Sequence, residues 1–353
     1  MSSEFDHHRI LQEYYGRVLQ TTNDLKTGAC CLDGENFTPS VRRARGLLER
    51  EIVERFYGCG SPIPPLLQGR RVLDLGCGTG MDVYIAAYLA GEQGFVVGVD
   101  MTGEQLAVGR RHVDAQMRAF GFARPNVEFR QGYMEDLAAL DLADDSFDVV
   151  ISNCVLNLSP EKERVFSEIF RVLKPGGELY FSDVFAGRRV PVHLQDDPVL
   201  HGECLAGAMY REDFRRLLTR LGCPDYRIIS SRRINLRNSE IEDMIGSVDF
   251  YSETVRAFKL PGRLEDICED YGQVAVYQGT ILDHPHWFDL DDHHRLITGK
   301  PMLVCGNTAA MLEETRFAGH FKVSGDRTVH FGSFDCSPAA SRESSEGSGG
   351  ACC

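Results

Sequence analysis

Three of the chain's twelve cysteines stand in glycine-bordered or strand-end settings where a thiol could meet a substrate. Cys59 lies in Tyr57-Gly58-Cys59-Gly60, Cys154 follows Ser152-Asn153, and Cys204 lies in His201-Gly202-Glu203-Cys204-Leu205-Ala206-Gly207-Ala208. One such cysteine reads as a small buried hydrophobe. Three converging on one cleft read as ligands, and thiolates without a carboxylate and histidine set prefer a soft, thiophilic partner over magnesium or calcium. No Cys-x-x-Cys pair occurs, so neither a zinc ribbon nor a thioredoxin-like motif is expected. His284/His286 and the Asp291-Asp292-His293-His294 run are read as solvated turns. Cys352-Cys353 is read as a pendant thiol pair without fixed geometry.

Positioning these thiols requires a scaffold, and the first part of one is Val72-Leu73-Asp74-Leu75-Gly76-Cys77-Gly78-Thr79-Gly80. An apolar run ends in a carboxylate and turns through Gly76, Gly78 and Gly80, the pattern of a buried parallel strand feeding a tight ligand-binding turn. Gly94 to Asp100 is a second strand ending in an acid, placed for ribose hydroxyls. The pattern differs from the dinucleotide fingerprint because Asp74 precedes the turn. A pyrophosphate would be repelled there, whereas a cationic or zwitterionic ligand would not. Val127–Gln131, Ser146–Asn153 and Glu178–Asp183 continue the strands, which puts Cys154 at the carboxyl edge where open α/β sheets bind ligands.

The first 60 residues read as a helical segment, with Val41 to Phe56 carrying Leu47, Leu48, Ile52 and Val53 on one stripe. Thr102 to Phe120 reads as one helix. Residues 61–260 form the ligand-binding domain, with 188–210 as an insertion capping the cleft and Tyr226–Ile234 and Val248–Leu260 as an antiparallel edge. A small domain over 261–337 and a disordered Ser/Gly/Cys tail over 338–353 complete the expected organisation. The net charge of −14 argues against nucleic acid as partner. No apolar run reaches membrane-spanning length, so a cytoplasmic monomer is expected.

The succession strand, glycine turn, strand, then Arg171-Val172-Leu173-Lys174-Pro175-Gly176-Gly177 before a strand resembles class I S-adenosylmethionine-dependent methyltransferases over residues 70 to 260. That resemblance implies an α/β fold with a Rossmann-like seven-stranded core. Asp24-Leu25-Lys26-Thr27-Gly28-Ala29-Cys30, Tyr57-Gly58-Cys59-Gly60, Ile151-Ser152-Asn153-Cys154 and Gly202-Glu203-Cys204 sharpen it. Together with Gly299 to Thr308 they resemble arsenite S-adenosylmethionine methyltransferases over about residues 10 to 330. Cys31, an extra thiol beside Cys30, and Cys77, read as packing, depart from that family's pattern.

The resemblance implies that arsenite and methylarsenite are the substrates, with arsenic bound by Cys59, Cys154 and Cys204 and Cys30 assisting. It places Asp74, Gly76, Gly78, Gly80 and Asn153 at the methionine part of S-adenosylmethionine. Asp100 falls at its ribose, Met101 and Glu135 at its adenine, and Tyr57 over its sulfonium. A thiol reductant, thioredoxin or glutathione, would reopen any disulfide formed in turnover. The rival readings are methylation of another soft small molecule and an arsenic-binding protein without turnover.

Overall fold

Arg71–Leu75 (β1) places four consecutive residues in the interior, which a strand can do only when both sheet faces are covered. The structure, a computed structural model, describes residues 37–56, 58–195, 197, 200, 204–236 and 238–336. Phe95–Asp100 (β2) and Val127–Gln131 (β3) flank β1 on one side. Phe147–Asn153 (β4) and Leu173–Ala186 (β5) lie on the other, all in parallel pairing. Met209–Tyr210 (β6) adds a short parallel pairing to β5, and Tyr226–Arg233 (β7) and Phe250–Phe258 (β8) complete the sheet. The order is β3-β2-β1-β4-β5-β8-β7, with β8 antiparallel to both neighbours. This is the expected α/β core, and its order reverses between β1 and β4, where such sheets open a crevice.

Two expected helices are each divided. Val41 to Phe56 becomes Pro39–Gly46 and Arg50–Glu54, because the Gln116 side chain takes over the backbone groups at the break. It accepts from Glu49 N–H at 2.8 Å and donates to Leu47 C=O at 3.3 Å. Thr102 to Phe120 divides at His112 into Gly103–Arg111 and Val113–Phe120. There the His112 ring pairs with Glu51 at 2.8 Å. These are distant side chains overriding local helical patterning. Between β7 and β8 the chain forms the helix Ser239–Ile245, which carries Ile241 and Ile245 into the interior. β7 and β8 are neighbouring antiparallel strands at the edge of the sheet, as expected, and the helix lies within the connection between them.

The C-terminal residues add Glu269–Asp270 (β9), Gln273–Tyr277 (β10), Trp287–Asp289 (β11), Arg295–Ile297 (β12), Pro301–Val304 (β13), Phe321–Ser324 (β14) and Gly332–Ser333 (β15). β13-β10-β14 form a small sheet, and β9 pairs with β15. The helix Gly306–Glu313 packs into this part, whose own apolar cluster includes Tyr277, Phe288, Met311, Phe317 and Phe321. The Asp291–His294 turn is not solvated as expected. Asp291 and His294 are both buried against Arg227, whose guanidinium donates to Asp291 at 2.9 Å.

A buried charge cluster ties this part to the sheet. Glu178 of β5 accepts from Arg256 of β8 at 2.6 Å and pairs with Arg316, all three within the interior. Arg256 also donates to Leu290 C=O at 2.7 Å. Replacing Glu178 by Leu strands two buried guanidinium groups, and breaking a buried pair costs about 3–5 kcal/mol. Urea denaturation of Glu178→Leu should show a loss of that size. A loss below about 1 kcal/mol, the range of an exposed ion pair, would contradict the role assigned to the cluster.

Candidate active site

The cleft opens where the sheet order reverses. It is lined on one side by the turn after β1, with Asp74, Gly76, Gly78 and Thr79, and on the other by Asn153, Cys154 and Val155 after β4. Gly76 has φ 69°, and a Cβ there would fall 2.3 Å from the Val155 side chain, so only glycine lets the two loops meet. Gly78 N–H donates to Asp100 Oδ2 at 2.8 Å, and Thr102 N–H donates to Oδ1 at 2.8 Å. The two amides fix the Asp100 carboxylate at the end of β2. Met101, Tyr133, Met134, Glu135 and Ser159 close the far end. The buried Glu135 carboxylate accepts from Ser159 Oγ at 2.5 Å.

Of the residues expected at the ligand, Asp74, Gly76, Gly78, Asp100, Met101, Glu135 and Asn153 line this cleft, and Gly80 does not. Gly80 caps the helix Met81–Ala90 at φ 90°, and a Cβ there would meet the Phe129 ring at 2.7 Å. Its part is to turn the backbone. Tyr57 and Cys30 lie outside the described residues, although Phe56 and Gly58 on either side of Tyr57 line the cleft. Cys77 packs in the core and also borders the cleft, and burial drives its thiol pKa up.

Asn153 does more than its expected contact with the ligand. Its side-chain oxygen accepts from Cys59 N–H at 3.0 Å and Gly60 N–H at 3.3 Å. Its amide nitrogen donates to Gly60 C=O at 2.9 Å and to Asp82 Oδ2 at 3.0 Å. The Asn153 side chain thus fastens the Cys59 loop to the sheet. Ser252 Oγ secures the same loop by donating to Cys59 C=O at 3.0 Å.

The three cysteines come together in one apolar cluster. Cys59 and Cys154 are joined by a disulfide with a Cα–Cα separation of 5.8 Å, and the Cys204 thiol donates to Cys154 C=O at 3.1 Å. Cys154 and Cys204 both have left-handed backbones, φ 55° and 61°. Such conformations cost energy in non-glycine residues and concentrate at functional sites. Asp183 Oδ, the Cys59 sulfur and the Cys154 sulfur lie within 4.8 Å of one another.

Asp82, Asp183 and Lys162 were not anticipated from the sequence. Asp82 sits one residue into a helix and Asp183 near the end of a long strand, so only packing aims them at the site. Burial pushes Asp82 up to about 7, against the hydrogen bond from Asn153. Asp183 also rises to about 7 through burial, opposed by the Val184 and Asn157 amides. Asn157 Nδ2 donates to Asp183 at 2.7 Å. Burial lowers Lys162 to about 8, while Asp183 and Cys204 favour its charged form. Its ammonium donates to Ser159 C=O at 2.8 Å and Asn157 C=O at 3.1 Å.

The electrostatics of the cleft ask for positive charge. Asp74 is raised first by burial and then by the charges of Asp82 and Asp100, and its Oδ2 is buried without a hydrogen-bond partner among the described residues. A ligand carrying an ammonium or sulfonium would supply the missing counter-charge.

This fold and cleft define a class I S-adenosylmethionine-dependent methyltransferase, and a methyltransferase-domain family model matches residues 66–222. The family model of the arsenite methyltransferase C-terminal domain matches residues 271–348. The chain is 52% identical over 328 residues to an arsenite methyltransferase of Aquipseudomonas alcaligenes, covering 93% of this chain and 94% of that protein. It is 40% identical over 316 residues to the mouse arsenite methyltransferase, covering 89% and 82%. The crystal structure of an arsenic(III) S-adenosylmethionine methyltransferase from Chlamydomonas reinhardtii is 54% identical and superposes with a TM-score of 0.82. That match covers 85% of this chain and 100% of the other. The chain belongs to the arsenite methyltransferase family.

The buried carboxylates set a pH dependence. A folded pKa raised above the unfolded value near 3.8 gives stability that is present below that value and is lost as pH rises through about 7. The melting temperature of the ligand-free enzyme should therefore fall between about pH 4 and pH 7, and Asp82→Asn should flatten the fall. Calorimetry showing the same slope in wild type and Asp82→Asn would contradict this assignment.

Proposed function

We propose that the enzyme binds trivalent arsenic through Cys59, Cys154 and Cys204 and methylates it at the mouth of the cofactor cleft. The observation that carries this reading is the position of Cys154. It lines the cleft, pairs with Cys59, and its carbonyl accepts from the Cys204 thiol. A methyl acceptor held by these sulfurs is therefore next to the cofactor.

Asp74 would hold the cationic part of the cofactor together with the turn of Gly76 and Gly78, Asp100 its ribose hydroxyls, and Met101 and Glu135 its adenine. S-adenosylmethionine supplies an electrophilic methyl group on a sulfonium. The protein's own chemistry is ligand exchange. Three thiols replace the three hydroxyls of arsenite, three As–O bonds give way to three As–S bonds, and three waters leave. Asp183, beside the Cys59 and Cys154 sulfurs, can pass thiol protons to departing hydroxide because its pKa lies near neutrality. The Lys162 cation near Cys204 favours the thiolate form. Sulfur ligation leaves arsenic pyramidal with a lone pair, so the remaining demand is positioning, worth up to about 7–11 kcal/mol.

Methylation raises arsenic formally from the trivalent to the pentavalent state. Two thiols that close to a disulfide return two electrons and restore trivalent arsenic. The Cys59–Cys154 disulfide has the connectivity such a step would leave, with Cys30 available as a further exchanging thiol. A thioredoxin or glutathione then reopens it. We read the enzyme as a monomer of a reducing, cytoplasmic compartment, where twelve cysteines stay largely as thiols.

Ligand counting tests this scheme. Monomethylarsonous acid has only two exchangeable oxygens, so Cys154 and Cys204 suffice for it. With S-adenosylmethionine and a thiol reductant, arsenic speciation should show Cys59→Ser losing methylation of arsenite while retaining methylation of the monomethyl substrate. Cys154→Ser and Cys204→Ser should lose both. A Cys204→Ser enzyme turning over arsenite at the parental rate would overturn the scheme.

Cofactor placement is tested separately. Hydrogen bonds to a charged group are worth about 1.5–3 kcal/mol, so Asp100→Ala should weaken S-adenosylmethionine binding at least about tenfold. Unchanged affinity by calorimetry would remove Asp100 from the site.

A further inference from the structure

Three other cysteines, scattered singly along the sequence, meet in the C-terminal part of the chain. Cys268, Cys305 and Cys336 have sulfurs that all lie within 4.8 Å of one another. None of the three lines the cofactor cleft. Their meeting is built by the fold. β9 pairs with β15 through Gly332↔Asp270 and Ser333↔Glu269, and Phe334 N–H donates to Cys268 C=O at 2.7 Å. That ladder holds Cys336, two residues further on, close to Cys268. Cys305 arrives from the other side as the residue that caps the helix Gly306–Glu313.

The surroundings of Cys305 suit a thiolate. Its sulfur accepts from the Thr308 N–H at 3.4 Å, contacts Thr308 Oγ1 at 3.3 Å, and faces the Arg227 guanidinium at 4.0 Å. A helix N-terminus and a neighbouring cation both stabilise a sulfur anion. Arg227 is itself held in place by Asp225 and Asp291. Cys305 is buried, whereas Cys268 and Cys336 are partly exposed. One sulfur is thus buried, and the other two belong to residues that reach solvent.

The donor set is three sulfurs, and no histidine or carboxylate among the described residues belongs to the group. A structural zinc site calls for four protein ligands in a tetrahedron. Three sulfurs alone match a soft centre that takes three ligands in a pyramid and keeps its fourth direction for a lone pair. We propose that Cys268, Cys305 and Cys336 form a second binding site for inorganic trivalent arsenic, separate from the methylation site. Binding exchanges three As–OH bonds for three As–S bonds, the thiol protons leave with the hydroxyls as three waters, and no oxidation state changes. The bound ion would cross-link β9, β15 and the start of the Gly306–Glu313 helix. This site does not depend on the thiolate scheme proposed for Cys59, Cys154 and Cys204.

The test uses the full chain reduced with a phosphine, so that no added thiol competes for arsenic. A variant with Cys59, Cys154 and Cys204 all replaced by Ser is loaded with arsenite, freed of excess, and examined for arsenic content and by arsenic X-ray absorption. The expected result is one tightly held arsenic with three sulfur neighbours, lost when Cys268→Ser or Cys336→Ser is added. Single Cys268→Ser and Cys336→Ser chains with the methylation site intact should bind one arsenic fewer than wild type. They should still methylate arsenite, which shows that they fold. Arsenic retention unchanged by Cys268→Ser and Cys336→Ser, fewer than three sulfur neighbours, or uptake of zinc ion with no uptake of arsenite would each overturn the proposal.

Discussion

The Asn153 side chain makes four hydrogen bonds, to Cys59 N–H, Gly60 N–H, Gly60 C=O and the Asp82 carboxylate. Through them it joins three separate segments of the chain. Asp82 belongs to the helix that follows the glycine turn, Cys59 to a loop before the sheet begins, and Cys154 is the next residue along from Asn153. A carboxamide is the group for this task, because it offers an acceptor and a two-proton donor at once. Gly58 is the price of that proximity, since a Cβ there would fall 2.5 Å from the Asn153 amide nitrogen. The cofactor cleft and the thiol cluster are consequently two faces of one hydrogen-bonded joint.

Around this joint the protein gathers charge that it does not neutralise by itself. Asp74, Asp82, Asp100 and Asp183 all have pKa values raised by burial. The arrangement costs stability near neutral pH and favours a ligand that brings positive charge. Lys162 is the cation on the thiol side, held by the carbonyls of Asn157 and Ser159. The left-handed backbones of Cys154 and Cys204 fit the same picture, in which the surrounding sheet and insertion impose conformations the residues would not choose.

Features encoded locally were legible in the sequence. The strands before and after the glycine turn, the acid at the end of β2 and the positions of Cys59, Cys154 and Cys204 could be read because runs and spacing carry them. The breaks at Leu47 and His112 could not, because they depend on Gln116 and Glu51, which lie far away along the chain. The same holds for Asp82, Asp183 and Lys162, whose neighbours define their chemistry. Asp291 and His294 look like a solvated turn until Arg227 is placed against them. Cys268, Cys305 and Cys336 carry no local motif, and only the β9–β15 pairing and the following helix bring them together.

The central claim is that the thiols of Cys59, Cys154 and Cys204 and the cofactor cleft form a single site. Anomalous diffraction at the arsenic edge, on crystals of the reduced enzyme grown with arsenite and the demethylated cofactor, tests it directly. The account predicts an arsenic peak bonded to the sulfurs of Cys59, Cys154 and Cys204, with the lone-pair side open to the cleft lined by Asp74 and Asn153. A reduced enzyme with no arsenic at these sulfurs, or with arsenic facing away from the cleft, would contradict it.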